Sequence, residues 1–536
     1  MISGPQLPFP SNEPEQSFAP GTEAGQQLQQ ALSLREVAEV PTVIGGKRLY
    51  SDDVVEIRAP HDHRRVLARI HRPTEAQVKE AIANARSVAR DWAALSLASR
   101  AAILHRAAEI IATRYRVRIN AATMLGQSKT IEEAEPDSAC ELIDFFRFNA
   151  YNAQKVHSEQ PLSVPTAANR TDWRPLEGFV YAVSPFNFTA IGGNLTTAPA
   201  IMGNTVLWKP SEKSAWANYL CYQALEEAGL PSGVINFVPG EAELTTRAVL
   251  ASEELAGIHF TGSSAVFNSL WKQVAGNVDH YRSIPRLVGE TGGKDFVVAH
   301  ASADVDALAI ALVRGAFGYQ GQKCSAASRA YIPKSLWPEV RKQLGERLGE
   351  LRVGDVADPK TFMGAVISEA SHQKLCRVID AAKSDSGVQV IYGGRTWNDP
   401  GYFVEPTVLQ VTDPRHALMQ EELFGPVLSI FVYDDSAWVE TLALIDGTSR
   451  YALTGSIFST DRAALHEAEA ALNFAAGNLY LNDKPTGAMV GQQPFGGGRA
   501  SGTNDKAGSF MNLMRWSSPR VVKETYLPVR NWKFGE

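Results

Sequence analysis

The chain has 536 residues, 44% of them hydrophobic and 21% charged, enough apolar side chains to core about three folding units, which excludes wholesale disorder or one tiny module. Its 52 basic and 58 acidic side chains give a net charge of -6 with no long run of either sign, so nucleic acid is not an expected partner. Four cysteines, Cys140, Cys221, Cys324 and Cys376, are too sparse for a disulfide scaffold and too scattered for a zinc knot, which points to a reducing compartment.

Residues 1–40 mix Pro, Gly, Gln and Ser with little periodicity and read as an arm lying on a larger body. Nothing basic precedes Arg35, so no secretory or mitochondrial leader is expected there. From Thr74, which with Gln77 forms a capping-box signature, Val78, Ile82, Ala85, Val88 and Trp92 recur at helical spacing. Leu104, Ala108 and Ile111, then Leu142, Phe145, Phe146 and Phe148, extend this into a helical layer expected to cover a sheet.

After Gly178 short β-branched runs alternate with helical windows, at 179–183, 205–208, 234–238, 258–260 and 286–288. This alternation predicts a parallel sheet covered on both faces. A second series, at 296–299, 330–332, 388–392, 427–432 and 456–458, predicts a second α/β domain. Between them Gly289, Gly292 and Gly293 read as a hinge, beside which a cleft is expected. The longest clean apolar run, 307–313, is far short of the about 20 residues that span a bilayer, so no membrane association is expected.

Three stretches could carry chemistry. Cys324 sits among small polar residues beside Lys323, whose charge is expected to favour thiolate; read alone, a free cysteine fits a small buried hydrophobe equally well. Glu290, on a glycine-rich turn after an apolar strand, is either a solvated hinge residue or a general base. Asn187, after the strand that begins the first series, either turns the chain or donates its amide to a developing oxyanion.

These stretches belong to six blocks, Ser184-Pro-Phe-Asn-Phe188, Trp208-Lys-Pro-Ser-Glu212, Phe260-Thr-Gly-Ser263, Gly289-Glu-Thr-Gly-Gly293, Gly321-Gln-Lys-Cys-Ser325 and Glu421-Glu-Leu-Phe-Gly-Pro-Val427. In order and content they resemble the aldehyde dehydrogenase superfamily over about residues 40–520. Thr291, where most members have Leu, the long run 486–505 and the segment 141–149 resemble its L-glutamate gamma-semialdehyde dehydrogenase branch.

The resemblance implies an α/β fold of two Rossmann-type parallel-sheet domains plus a small β oligomerisation flap. The expected division is an arm (1–40), an NAD-binding domain (41–169 and 182–290, with 485–505 returning to it), a catalytic domain (291–484) and a flap (170–181 and 506–536). It implies Cys324 as nucleophile, Glu290 as the base that activates water, and Asn187 with the Cys324 backbone N–H as oxyanion hole. For the cofactor, NAD, it implies Lys209 and Glu212 at the adenosine ribose, Gly262 and Ser263 at the pyrophosphate, and Glu422 and Phe424 at the nicotinamide end. A carboxylate at 212 would disfavour a 2′-phosphate and hence NADP. For the substrate it implies Ser325, Lys323, Gly487 and Ala488 around a carboxylate, Phe188 and Phe495 along an aliphatic chain, and Glu141 in the same pocket. No metal is implied. A homodimer or a multiple of it is expected, with proline oxidation left to a separate proline dehydrogenase. The expected compartment is the bacterial cytoplasm or a mitochondrial matrix. The alternatives are a relative acting on another semialdehyde, or a cysteine hydrolase.

Overall fold

The computed structural model describes residues 7–533. The first α/β half is built on five parallel strands, β1 (Phe179–Ser184), β2 (Thr205–Pro210), β3 (Ile235–Phe237), β4 (Leu255–Thr261) and β5 (Arg286–Glu290). They lie in the order β5-β4-β1-β2-β3, extended past β3 by the antiparallel Thr42–Ile44 and Lys47–Leu49. Alternate side chains explain the double cover. Val180, Ala182, Val206 and Trp208 pack with Phe145 and Phe146 on one face, while Phe179, Tyr181, Leu207 and Ile258 pack with Val78, Ile82 and Ala85 on the other. Each such fully buried large side chain contributes about 1.5–3 kcal/mol. The helix Glu75–Ala94 starts at the expected capping box of Thr74 and Gln77.

The chain runs outward from β1 through β2 to β3, then returns to place β4 on the other side of β1. The order therefore reverses between β1 and β4, and a crevice opens beyond the carboxyl ends of strands at such a point.

The second half carries β6 (Asp295–Ala299), β7 (Ala327–Pro333), β8 (Val388–Tyr392), β9 (Thr407–Val411), β10 (Val427–Tyr433), β11 (Thr454–Phe458) and β12 (Asn478–Leu481). Their order is β8-β9-β10-β7-β6-β11-β12, parallel except for β8. The sequence reading did not include β9 and β12.

Several expectations are corrected. The arm contains a helix, Glu23–Ser33, that buries Leu28 and Leu32, and Glu13 pairs with Arg116 at 2.6 Å and Arg147 at 2.7 Å. Thus ion pairs and a short amphipathic helix, rather than a long apolar stripe, tie it down.

The expected flap limits are displaced, starting three residues late and running on into β1, and on the C-terminal side starting too early. Its two strands are Ala167–Arg174 and Ser518–Thr525, paired antiparallel, whereas 179–181 lie in β1, and Leu513 and Trp516 are buried in the first half's core. The returning segment first pairs Gly498–Arg499 with Tyr451–Ala452 of the second half, then lies along β5 through Gly502. Among the described residues no helix is long and apolar enough to cross a membrane.

Candidate active site

A cavity opens between the halves, and its lining includes Glu290, Cys324, Ser325, Glu141, Phe188 and Gly487. Glu290 ends β5, held from both sides. Thr261 of β4 pairs with it in register, and on the other edge Thr503 binds Gly289 through the Gly289 N–H to Oγ1 at 2.9 Å and its own N–H to Gly289 O at 2.9 Å. Thr291, the departure from Leu, donates its hydroxyl to Ala500 O at 2.7 Å and accepts from Ser264 Oγ at 3.0 Å. That residue choice therefore ties the long C-terminal run to the turn that follows β5.

The glycines of this turn serve close approach rather than hinging. A Cβ at Gly292 would strike the Glu422 carboxylate, and one at Gly293 would strike Asp295 and the Cys324 carbonyl.

Cys324 follows a tight loop in which Tyr319, Gln320 and Gly321 all have positive φ (49°, 54° and 63°). For the two non-glycine residues that conformation costs about 1–3 kcal/mol each and needs external support. Gln320 supplies it, donating to Ser128 O and Ala365 O at 2.8 Å and accepting from Gly364 N at 3.0 Å. Asn187, buried beyond β1, donates its amide to Gln322 O at 3.0 Å, and the second amide hydrogen is left for a ligand.

Lys323 does not activate the thiol as expected. Its ammonium is committed to Glu133, and to Asp137 at 3.5 Å. Burial, then the carboxylates Asp295, Glu290 and Glu422, push the Cys324 thiol well above its ordinary range, and only its own backbone N–H opposes them. Burial likewise pushes the Glu290 carboxyl up to about 8, with Lys506 opposing and Asp505 adding. Both groups are thus shifted toward their protonated forms and gain acidity from a positive charge brought into the site.

The expected cofactor residues lie at the end of β2, at a helix start after β4 and on the 422–424 segment of the second half. Lys209 is buried near the end of β2, and Glu212 just beyond it accepts from Arg72 Nε at 2.7 Å. Ser263 caps the helix Ser264–Gly276, its Oγ accepting from Val266 N. The Gly262 N–H is given to Glu290 O at 3.2 Å, so the amides that the helix start offers an anion are those of its first turn, Ser264 and Ala265. Glu422 accepts from Gly293 N at 3.0 Å, and burial raises its pKa. Phe424, at φ 58°, meets Phe186 edge-on at 5.8 Å. A helix start, a cation–carboxylate pair at a strand end and a glycine turn that admits no Cβ fit a dinucleotide.

The Aldehyde dehydrogenase family profile matches residues 50–522. The chain belongs to the aldehyde dehydrogenase family. It is 46% identical over 528 residues to the mitochondrial Delta-1-pyrroline-5-carboxylate dehydrogenase of Homo sapiens, covering 98% of this chain and 94% of that protein. The solved structure of the Delta-pyrroline-5-carboxylate dehydrogenase from Mycobacterium tuberculosis bound with NAD superposes with a TM-score of 0.96 at 50% identity, covering 100% of this chain and 99% of that one. The Thermus thermophilus 1-pyrroline-5-carboxylate dehydrogenase (R100A mutant) gives 0.91 at 32% identity, with 98% and 100% covered.

In this aldehyde dehydrogenase's cavity, Ser325 and Thr486 share a hydroxyl contact at 2.8 Å. Gly487, at φ 92°, and Ala488 turn the chain over it. Phe495 lines one wall, held by backbone pairing with Ala507, and Phe188 lies under the Lys129 ammonium at 4.2 Å. Glu141 Oε2 is buried with no hydrogen-bond partner, and burial, then Asp137, hold that carboxyl well above its ordinary range.

Sequence reasoning missed Lys129, Asp137, Glu133, Asp295 and Arg72. Each is a charged residue in an ordinary-looking segment, and none carries a local pattern that announces a partner far away in the chain.

Replacing Asn187 with Ala is expected to lower kcat about 10²–10³-fold with little change in KM, as loss of one oxyanion donor does. Steady-state kinetics check this, and an unchanged kcat would remove Asn187 from the oxyanion hole.

Proposed function

We propose that this chain is an NAD-dependent dehydrogenase that oxidises L-glutamate gamma-semialdehyde, formed by ring opening of 1-pyrroline-5-carboxylate, to L-glutamate in the second step of proline breakdown. The observation that carries the reading is the cavity lining, which brings Cys324 and Glu290 together with Ser325, Gly487 and the unpartnered Glu141 carboxyl. An aldehyde that also carries a carboxylate and an ammonium matches this set of groups. The anion takes the Ser325 hydroxyl and the backbone amides of the 487–488 turn, and the ammonium gives Glu141 the donor it lacks and ionises it.

Cys324 Sγ gives its proton to solvent water and adds its electron pair to the aldehyde carbon as the C=O π bond opens, and the resulting alkoxide is held by the Asn187 amide and the Cys324 backbone N–H. When bound by Lys209, Glu212, Ser263 and the Glu422–Phe424 segment, NAD supplies the acceptor for the hydride that converts this adduct to a thioester. Ionised Glu290 takes a proton from water, the hydroxide adds to the thioester carbon, and Sγ leaves as glutamate forms.

The exposed ribbon Ala167–Arg174 with Ser518–Thr525 supports a homodimer or a multiple of it, and proline oxidation falls to a separate proline dehydrogenase. Four unpaired cysteines suit a reducing compartment, bacterial cytoplasm or a mitochondrial matrix.

Kinetics with glutamate semialdehyde and succinic semialdehyde test the substrate. The first should be favoured in kcat/KM by at least about 10²-fold, because the second leaves Glu141 unpaired; a preference for succinic semialdehyde would overturn the assignment.

A further inference from the structure

The adenosine end of the crevice contains a cation that the six blocks do not include. Arg72 follows the strand Asp62–His71. Its backbone N–H is fixed to Asp53 O at 3.0 Å, and its Nε donates to Glu212 Oε1 at 2.7 Å. Both side chains remain partly open, at 25% and 23% exposure. The other acids around Arg72 are poorly placed to hold it. Asp53 lies 3.9 Å from Nη1 and is 67% exposed, and both oxygens of Glu241 accept backbone N–H groups, from Glu243 and Leu244, at 2.8 and 2.6 Å.

Arg72, Lys209, Glu212 and Glu241 thus form a cluster of two cations and two anions, in which Glu212 is the anion that holds Arg72. We propose that Arg72 is the specificity-determining partner of Glu212. Paired with Glu212, it orients the carboxylate toward the ribose hydroxyls of NAD; released by loss of that charge, it becomes the receptor for a ribose 2′-phosphate. A guanidinium whose terminal nitrogens are weakly engaged suits a phosphate, which accepts two parallel N–H bonds. The discrimination between NAD and NADP is therefore a property of the ion pair, with Glu212 masking an anion site.

This rests on the dinucleotide reading above, so the test measures binding of NAD and NADP separately by isothermal titration calorimetry, without aldehyde. The wild type should bind NAD more tightly. Glu212→Gln, which keeps the shape and removes the charge, should tighten NADP binding at least about tenfold while weakening NAD by a smaller factor. Glu212→Gln combined with Arg72→Gln should lose that gain while still binding NAD, and combined with Arg72→Lys it should keep part of it. The proposal is overturned if Glu212→Gln gives no gain, or if the gain persists without Arg72, since relief of repulsion would then be sufficient. Failure of the wild type to bind either dinucleotide would overturn the cofactor reading instead.

Discussion

Cys324→Ala is expected to abolish aldehyde oxidation, lowering kcat by at least about 10⁴-fold, the scale seen when a covalent nucleophile is removed, while NAD binding persists. The loss is large because a planar aldehyde has no route to the tetrahedral adduct without the sulfur. The loop that presents the thiol is held by Gln320, and Gln322 Oε1 accepts from Ile367 N at 2.9 Å, so the alanine variant should keep its geometry. Reduced-nicotinamide absorbance measures the first quantity and calorimetry the second. Turnover within about tenfold of wild type would place the nucleophile elsewhere.

Glu290→Gln should separate the two halves of the reaction. The first turnover produces one equivalent of reduced nicotinamide per site, after which the thioester accumulates on Cys324 and steady-state kcat falls by about 10²–10⁴-fold, the usual worth of a positioned base. Rapid mixing reads the burst, and mass analysis of the denatured protein reads the acyl group. The pH dependence follows from the same carboxyl. Only its ionised form accepts a proton, and burial pushes it up to about 8. Thioester hydrolysis in the wild type should therefore be slow well below that pH, rise through about 8 as the carboxyl ionises, and level off above it. In the glutamine variant the rise should vanish; a rise of the same size in both would assign base catalysis to another group.

The helix at Thr74 was legible because capping and periodicity are local signals. The runs that became β1–β5 were legible because both faces of that sheet are buried, so their apolar residues are nearly continuous. Lys323 shows the opposite case. Its neighbour in the chain is Cys324, yet its charge partners are Glu133 and Asp137, remote in sequence, and adjacency led to the wrong assignment. Gly292 and Gly293 looked like a hinge because glycine permits both flexibility and contact, and only the carboxylates packed against them decide which.

What the amino-acid order determined by itself was the alternation of strands and helices, the caps and the candidate chemical groups, all of which depend on neighbours a few residues apart. Tertiary structure alone decided which charges meet, how deeply Cys324 and Glu290 are enclosed, and that Arg72 lies on Glu212. The physical reason is that pairing energy and desolvation depend on distance and burial in space, quantities that chain separation does not encode.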